Sequence, residues 1–397
     1  MRGRRARTSR PTAAIARALV VALAGALGAI GAGLGCGFDG LAGGGVGGAG
    51  TDGSQAPTGA DASGTDASGS SDGSSVLLDG SSVDAPAEAG CGDVLSAPLN
   101  CGRCGHSCLG GACAAGKCQP LTIATDPGLG AVTVDATNVY FVAESAGVLR
   151  KIPLAGGAPV DLYNTGRAPH DLAITGTRLY WTDQFSAGGY SIPFNTANTV
   201  GGGADAARAV TLTPNGPHFI RTSTVELFDP TLTQSLAAFT NNGASPAIVS
   251  DATYTYWAAG KQIRRVQRPM TSVTNVVTGL AEDPTALAIS ATHVYWATPT
   301  SVQRAPIGIA SGWTIATITS ATETAAASIA VDATDVYWLD LTTGALRRAP
   351  IAGGTPETLA TFTKQLVDAP YPHQIALTAD AIYVASTSDG TLSRLAK

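Results

Sequence analysis

Residues 329–340 read IAVDATDVYWLD: a short apolar strand, a polar turn that begins with Asp332, and a second strand centred on Tyr337 and Trp338. The same pattern recurs in three other clear copies, VTVDATNVYFVA (132–143), LAITGTRLYWTD (172–183) and LAISATHVYWAT (287–298). A period of about 40 residues is typical of an array of β units, each of which must stack on its neighbours to bury its two faces. The repeat therefore predicts an all-β architecture.

Seven such units follow residue 130, with strand centres at Tyr140, Tyr180, Leu227, Tyr256, Tyr295, Tyr337 and Tyr383. Each full unit reads as four strands with period-two alternation, which is typical of the blades of a β-propeller. The unit around Leu227 is short and degenerate, so the sequence predicts seven blades, or six if that unit merges with its neighbour. The last unit shows only three strands, and residues 120–125 (PLTIAT) match the missing fourth. We expect this segment to close the ring and leave no long open edge.

The stretch LYWTD at residues 179–183 resembles the YWTD repeat of lipoprotein-receptor propellers, and NHL-type propellers are similar too. The resemblance covers residues 119–397. It implies a propeller fold in which the motif residues are mainly structural, and it implies no particular ligand.

The first 35 residues carry six arginines and no acid, and residues 18–34 form an apolar run that is short for a membrane span. This arrangement is typical of a signal peptide over residues 1–35. The sequence GLGC at residues 33–36 resembles the end of a bacterial lipoprotein signal, which implies lipidation of Cys36. We expect an exported protein, lipid-anchored to the cell envelope at the outer membrane or the cell surface. The alternative is an unanchored periplasmic or secreted protein.

Residues 36–90 are rich in Gly, Ser and Asp, and they cannot bury enough apolar surface to offset their ordering entropy. The composition predicts a disordered linker that begins at the lipid anchor and acts as a spacer. The whole chain has a formal net charge of −5, and residues 119–397 are mildly acidic. This charge argues against nucleic acid as a partner.

Residues 91–118 hold six cysteines, at Cys91, Cys101, Cys104, Cys108, Cys113 and Cys118. An even number in an exported module with almost no core predicts three disulfides, among fifteen possible pairings. The segment LNCGRCGHSCLGGACAAGKC resembles small NCGxCGxxC modules that precede propellers in exported bacterial proteins. The alternative is a zinc site with Cys101, Cys104, His106 and Cys108 as ligands.

The propeller region, residues 119–397, contains no established catalytic motif, but three of its histidines follow a proline: His170, His218 and His373. Each is expected just before the innermost strand of a blade, so all three would face the mouth of one central funnel. Imidazoles that converge there could bind a transition metal, with Asp171 assisting and Asp368 as a weaker candidate. The alternative is a Pro-His turn that starts a strand, with no ligand. No cofactor is expected, apart from this possible metal.

A basic residue recurs in the third strand of the units, at Lys151, Arg265, Arg304, Arg348 and Arg394. The functional interpretation is a positive ring for acidic ligands. The structural interpretation is a set of contacts between blades, because the third strand lies well out from the axis.

Three functions are compatible with this architecture, and a purely structural role in the cell envelope is the third of them. The first is a non-catalytic binding scaffold for a protein or glycan partner at the cell envelope, with the membrane reached only through the lipid anchor. The alternative is a metal-dependent hydrolase, lactonase or lyase acting in the central funnel. Exposed apolar loop surface would favour partner binding, and a polar pocket with convergent titratable groups would favour an enzyme.

Overall fold

The protein forms a seven-bladed β-propeller, which confirms the predicted fold class and blade number. The computed structural model describes residues 91–183, 186–192, 195–201, 206–241, 245–267, 272–307, 315–320, 326–363 and 373–397. These residues contain strands and turns but no helix, and they all belong to one compact unit, Ser82–Lys397. The signal peptide, Cys36, the linker and Asp368 lie outside the described residues.

The strands are numbered β1 to β30 in chain order, and β1 and β2 form a hairpin in the cysteine module: Cys113–Ala114 and Lys117–Cys118. The strand β3, Leu121–Thr125, comes next. Blade 1 holds β4 to β7: Leu129–Val134, Asn138–Ala143, Val148–Pro153 and Val160–Asn164. Blade 2 holds β8 to β11: Pro169–Thr175, Arg178–Asp183, Ser186–Ser191 and Thr196–Gly201. Blade 3 holds β12 to β15: Ala207–Thr213, Gly216–Arg221, Thr224–Phe228 and Ser235–Thr240.

The remaining blades repeat this order. Blade 4 holds β16 to β19: Ile248–Ser250, Tyr254–Ala258, Gln262–Gln267 and Val273–Thr278. Blade 5 holds β20 to β23: Ala286–Ile289, His293–Ala297, Ser301–Pro306 and Ala316–Ser320. Blade 6 holds β24 to β27: Ala326–Val331, Asp335–Asp340, Ala345–Pro350 and Glu357–Thr361. Blade 7 holds β28 to β30: Ile375–Leu377, Ala381–Ser386 and Thr391–Ala396.

The ring closes through the predicted N-terminal strand. β3 pairs antiparallel with β30, so blade 7 has the order β28-β29-β30-β3. The innermost strand of each blade, the first in its chain order, contacts the innermost strands of the two neighbouring blades, and β28 contacts β4. The two ends of the repeat region are therefore joined in one sheet, which covers the edge that β30 would otherwise expose.

The aromatic pairs of the second strands pack neighbouring blades together. Successive strand residues point to opposite faces, so the tyrosine and the tryptophan of a pair reach different neighbours. Tyr295 of blade 5 lies in one buried cluster with Trp338 of blade 6, and Tyr140 of blade 1 lies in another with Trp181 of blade 2. The repeated Tyr-Trp pair is thus the core of the blade interfaces, because these side chains are at most 3% exposed.

The Asp of the repeated turn fixes both the turn and the tyrosine. The Oδ1 atom of Asp135 accepts the backbone N–H of Thr137 and of Asn138, each at 2.7 Å, and Oδ2 accepts the Tyr140 hydroxyl at 2.8 Å. This local bonding is the reason that Asp favours the start of such turns. Burial and the Asp135 bond raise the pKa of Tyr140 to about 12.

The sequence-based assignment of the third unit is wrong in one respect. The repeat aligns Leu227 with the strand-centre tyrosines of the other units, but Leu227 lies in β14, the third strand of blade 3. The second strand is β13, and its Phe219 pairs with Val210 as Trp181 pairs with Leu172 in blade 2. The Tyr-Trp pair is replaced there by His218-Phe219, which the aromatic pattern did not identify.

The recurring basic residues connect neighbouring parts of the fold. The Nη1 atom of Arg265 donates to the carbonyl of Ile307 at 2.9 Å, and Nη1 of Arg394 donates to the carbonyl of Leu154 at 2.8 Å. Each bond joins a blade to the next one around the ring. For these two residues the contacts fit the structural interpretation rather than a ring for acidic ligands.

The six cysteines form three disulfides, Cys91–Cys104, Cys101–Cys113 and Cys108–Cys118. The disulfide prediction is confirmed, and the zinc alternative fails because its three cysteine ligands are all in these bonds. Four of the six cysteines share a buried cluster with Leu346 of blade 6 and Val384 of blade 7. The ring of His106 contacts the carbonyl of Cys101 at 2.6 Å and the carbonyl of Lys397 at 2.7 Å. The module is therefore packed onto the side of the ring where it closes.

Candidate functional site at the central channel

The innermost strands of blades 1, 2, 3 and 7 line a cavity of about 390 Å³ in the central channel. Each of these strands pairs with another strand on one side only. The edge that faces the cavity therefore presents alternating backbone N–H and C=O groups. His373 is the one ionisable residue of this lining.

Asp171 and His373 meet across the channel wall although 202 residues separate them in the chain. The Nδ1 atom of His373 lies 2.8 Å from Oδ1 of Asp171, and Oδ2 of Asp171 accepts the backbone N–H of Val210 at 2.8 Å. Because an ionised carboxylate only accepts hydrogen bonds, Nδ1 is the donor. Burial by itself would lower the pKa of His373, but the Asp171 carboxylate outweighs burial and the pKa is raised.

The pair is held by three blades. Asp171 lies in β8 of blade 2 and is fully buried, whereas His373 precedes β28 of blade 7 and its side chain is 26% exposed. The carbonyl of His373 accepts the backbone N–H of Val132 in blade 1 at 2.7 Å. Asp171 is therefore positioned by a regular strand, and His373 by hydrogen bonds to blades 1 and 2.

His170 does not join this pair. It occupies the position in β8 that corresponds to His373, as the sequence predicted, but its Nδ1 atom lies 3.3 Å from Oε1 of Glu144. Glu144 belongs to the turn between β5 and β6 of blade 1. No sequence signal indicated this partner, because Glu144 lies outside every repeated motif.

The prediction for His218 is wrong. His218 does not precede an innermost strand but lies inside β13, in the place that tyrosine takes in the other blades. It is fully buried, and its Nδ1 atom forms a 2.8 Å hydrogen bond with Oγ1 of Thr255 in blade 4. The Pro-His dipeptide is therefore not equivalent in the three units, since Pro217 is already part of the second strand.

The described residues do not bring the histidines together as a metal site. Within the described ranges, the one group of three possible ligands with donor atoms within 4.8 Å of one another is Cys101, Cys108 and Cys118. All three sulfurs are in disulfides, so none is a free thiolate. The arrangement that remains at the channel is a single carboxylate–imidazole pair.

A second candidate surface lies on the cysteine module. Leu95 is 62% exposed and Leu99 is 71% exposed, and both lie in the loop that the Cys91–Cys104 disulfide closes. The Oδ1 atom of Asp93 accepts the N–H of Leu95 at 2.8 Å, which fixes the start of this loop. The cysteine spacing predicted the module but not this pair of exposed leucines.

Comparison with known proteins shows the fold but no family. No protein-family model and no curated protein sequence matches the chain. Virginiamycin B lyase from Staphylococcus aureus has a similar structure, with a TM-score of 0.57 and 15% identity over 70% of this chain and 98% of the lyase. A streptogramin B lyase gives a TM-score of 0.56 at 13% identity, over 70% of this chain and 96% of the lyase.

The computationally designed protein Ika8 is similar to about the same degree. Its TM-score is 0.54 at 14% identity, over 72% of this chain and 89% of the designed protein. At such identities the likeness establishes a β-propeller and nothing about activity. Within the part of the chain that the structure describes, no helix has the length and apolar character needed to cross a membrane.

Proposed function

We propose that this protein is a cell-envelope lipoprotein whose β-propeller and cysteine module form a non-catalytic binding scaffold for a protein or glycan partner. The observation that carries the proposal is the exposure of Leu95 and Leu99 on a loop closed by a disulfide. Apolar side chains exposed together on one loop are the kind of surface on which a partner docks. A loop that is already ordered loses little conformational entropy on binding, which favours affinity.

The proposed location rests on the N-terminal sequence. The signal peptide over residues 1–35 would direct export, Cys36 would carry the lipid, and the linker of residues 36–90 would hold the folded part away from the membrane. A Cys36→Ala variant, expressed in a bacterial host, should lose incorporation of a labelled fatty acid and move from the membrane fraction to the soluble fraction. Unchanged labelling of that variant would refute lipidation at Cys36.

The partner surface can be tested by photo-crosslinking in the intact envelope. A photoreactive residue at Leu99 should give one discrete adduct, and a Leu95→Ser substitution in the same chain should abolish it. The matched control is the same probe at Leu236, which is 49% exposed on the outer strand of blade 3. Identical adducts at the two positions, or none at Leu99 together with no co-sedimentation with purified cell-wall glycan, would contradict the proposal.

The alternative is a metal-dependent hydrolase, lactonase or lyase acting in the funnel. One observation favours it, the meeting of Asp171 and His373 at the channel cavity, because a histidine oriented by a carboxylate is a common metal ligand and proton acceptor. Plasma mass spectrometry of the dialysed protein distinguishes the two functions. A stoichiometric metal that is lost in His373→Ala would favour the enzyme, and its absence would remove the metal-dependent mechanism.

A further inference from the structure

The central channel combines two kinds of hydrogen-bonding group. The cavity-facing edges of β4, β8, β12 and β28 are sheet edges, so they offer backbone donors and acceptors apart from the N–H groups of Val132 and Val210, which are bonded within the protein. His373 adds a single imidazole, which the buried Asp171 holds from behind. A cavity of about 390 Å³ is within the range of small-ligand sites and accommodates one sugar-sized molecule.

We propose that this channel binds a small polyhydroxylated carboxylate, such as a sugar acid, with its carboxylate on His373 and its hydroxyls on the strand edges. The site is separate from the exposed leucines of the cysteine module. It rests neither on partner binding at that surface nor on catalysis in the funnel.

The charge arrangement selects an anionic group. Asp171 is fully buried and contacts both His373 and the N–H of Val210, so its negative charge lies in the channel wall. Asp171 takes up Nδ1 of the imidazole, and His373 lines the cavity, so Nε2 is the ring atom left to donate to a ligand. The raised pKa of His373 favours the protonated ring, which donates a charge-assisted hydrogen bond to a carboxylate.

The strand edges select hydroxyl groups. A hydroxyl both donates and accepts, so it can pair with either a backbone N–H or a backbone C=O. His373 lies four positions before Leu377, the last residue of β28, which corresponds to about 13 Å of extended chain. A hexose-sized ligand anchored on His373 is shorter than this and would therefore lie alongside β28.

The frame around His373 is rigid enough for such a site. Its carbonyl is bonded to the N–H of Val132, and the N–H of the following residue, Gln374, donates to Oγ of Ser328 in blade 6 at 3.0 Å. His373 is thus fixed to blade 6 through its neighbour, to blade 1 through its backbone, and to blade 2 through its ring. A group held by hydrogen bonds to several blades binds a ligand with little reorganisation.

Isothermal titration of the full chain with D-glucuronate tests the proposal. We expect one site per chain, with glucose and hexanoate each binding at least about tenfold more weakly, because each lacks one of the two recognised features. His373→Leu should weaken glucuronate binding by at least about tenfold. The matched control is His170→Leu, at the corresponding position of blade 2, which should leave the affinity unchanged.

A measurement on the unaltered protein guards against a variant that fails to fold. Glucuronate should slow hydrogen exchange in peptides that contain β4, β8, β12 and β28, and leave the outer strands β7 and β11 unaffected. The proposal is overturned if glucuronate does not bind, if hexanoate or glucose binds as well, or if His170→Leu weakens binding as much as His373→Leu. Protection confined to the cysteine module would also overturn it, and that result would instead support the partner surface.

Discussion

Blade 6 and blade 3 have the same architecture but different side chains. In both, the first two strands pair in the same register, with Ile329 opposite Trp338 in blade 6 and Val210 opposite Phe219 in blade 3. Blade 6 carries the complete repeat, whereas blade 3 has a histidine in place of tyrosine. The blade therefore depends on strand register and on second strands that are buried on both faces, and the Asp–Tyr motif is an addition to it.

The turns of the two blades show how the motif is replaced. In blade 6, Oδ1 of Asp332 accepts the N–H of Thr334 at 3.0 Å, and Oδ2 accepts the Tyr337 hydroxyl at 3.0 Å. In blade 3, Thr213 takes the corresponding place, and its hydroxyl accepts the N–H of Asn215 at 3.2 Å. A neutral hydroxyl forms a weaker version of the same turn, so the two blades should differ in their response to acid rather than in their packing.

The largest expected effect tests whether the packing is equal. Trp338→Ala and Phe219→Ala should each lower the free energy of unfolding by about 3–5 kcal/mol, because both rings are fully buried between blades. Urea unfolding of the two variants measures this. A loss below about 1 kcal/mol for Phe219→Ala alone would show that blade 3 is loosely packed and would contradict equal packing of the two blades.

The second-largest effect concerns the cysteine module, whose loss of a disulfide should destabilise blade 6 and not blade 3. Removing the Cys108–Cys118 disulfide with Cys108→Ala and Cys118→Ala should lower the free energy of unfolding by about 2–4 kcal/mol. Both cysteines share a buried cluster with Leu346 of blade 6. Hydrogen exchange should therefore increase in β26 and β30 and stay unchanged in β13.

The control for this variant is the removal of the Cys91–Cys104 disulfide, whose cysteines lie outside that buried cluster. It should alter exchange in the module while leaving β26 protected. Equal exposure of β13 and β26 after removal of Cys108–Cys118 would mean that the ring unfolds as a whole and that the module does not stabilise one side.

The same contrast explains how far sequence reasoning reached. The period, the Tyr-Trp alternation and the three-strand last unit are local patterns, so they predicted the seven blades and the closing strand β3. His218 was misplaced because its Pro-His dipeptide matched two others, and only strand pairing shows that it lies in a second strand. The Asp171–His373 contact could not be predicted, since the closure of the ring brings together residues 202 positions apart.

A smaller effect separates the two turns by their charge. The Lys397 ammonium lies 2.9 Å from Oδ2 of Asp332. Burial by itself would raise the pKa of Asp332. The Lys397 contact and two backbone N–H bonds outweigh burial and hold this pKa well below its usual 3.8. A lowered pKa stabilises the fold above the pKa of the unfolded chain, and that stability is lost as pH falls through the folded value.

Asp332→Asn should therefore lower the free energy of unfolding by about 1.5 kcal/mol at pH 7. It should also make unfolding less sensitive to pH below about 4. Thr213→Ala, at the corresponding position of blade 3, should lower the free energy of unfolding by less and leave its pH dependence unchanged. Urea unfolding at pH 7 and pH 3 measures both variants. The interpretation fails if Asp332→Asn keeps the acid sensitivity of the unaltered protein.

The smallest effect concerns the ion pair between the module and blade 6. The Nζ atom of Lys117 lies 3.1 Å from Oε1 of Glu357, but the two side chains are 58% and 39% exposed. Such exposed pairs contribute little to stability, and without Lys117 the Glu357 carboxylate would still contact the Arg348 guanidinium at 2.9 Å.

Lys117→Ala should change the free energy of unfolding by less than about 0.5 kcal/mol, with or without added salt. A loss above about 1 kcal/mol that salt abolishes would mean that charge fixes the module to blade 6. The expected result assigns the attachment to blade 6 to the buried cystines and their apolar neighbours, while the His106–Lys397 contact holds the module to blade 7.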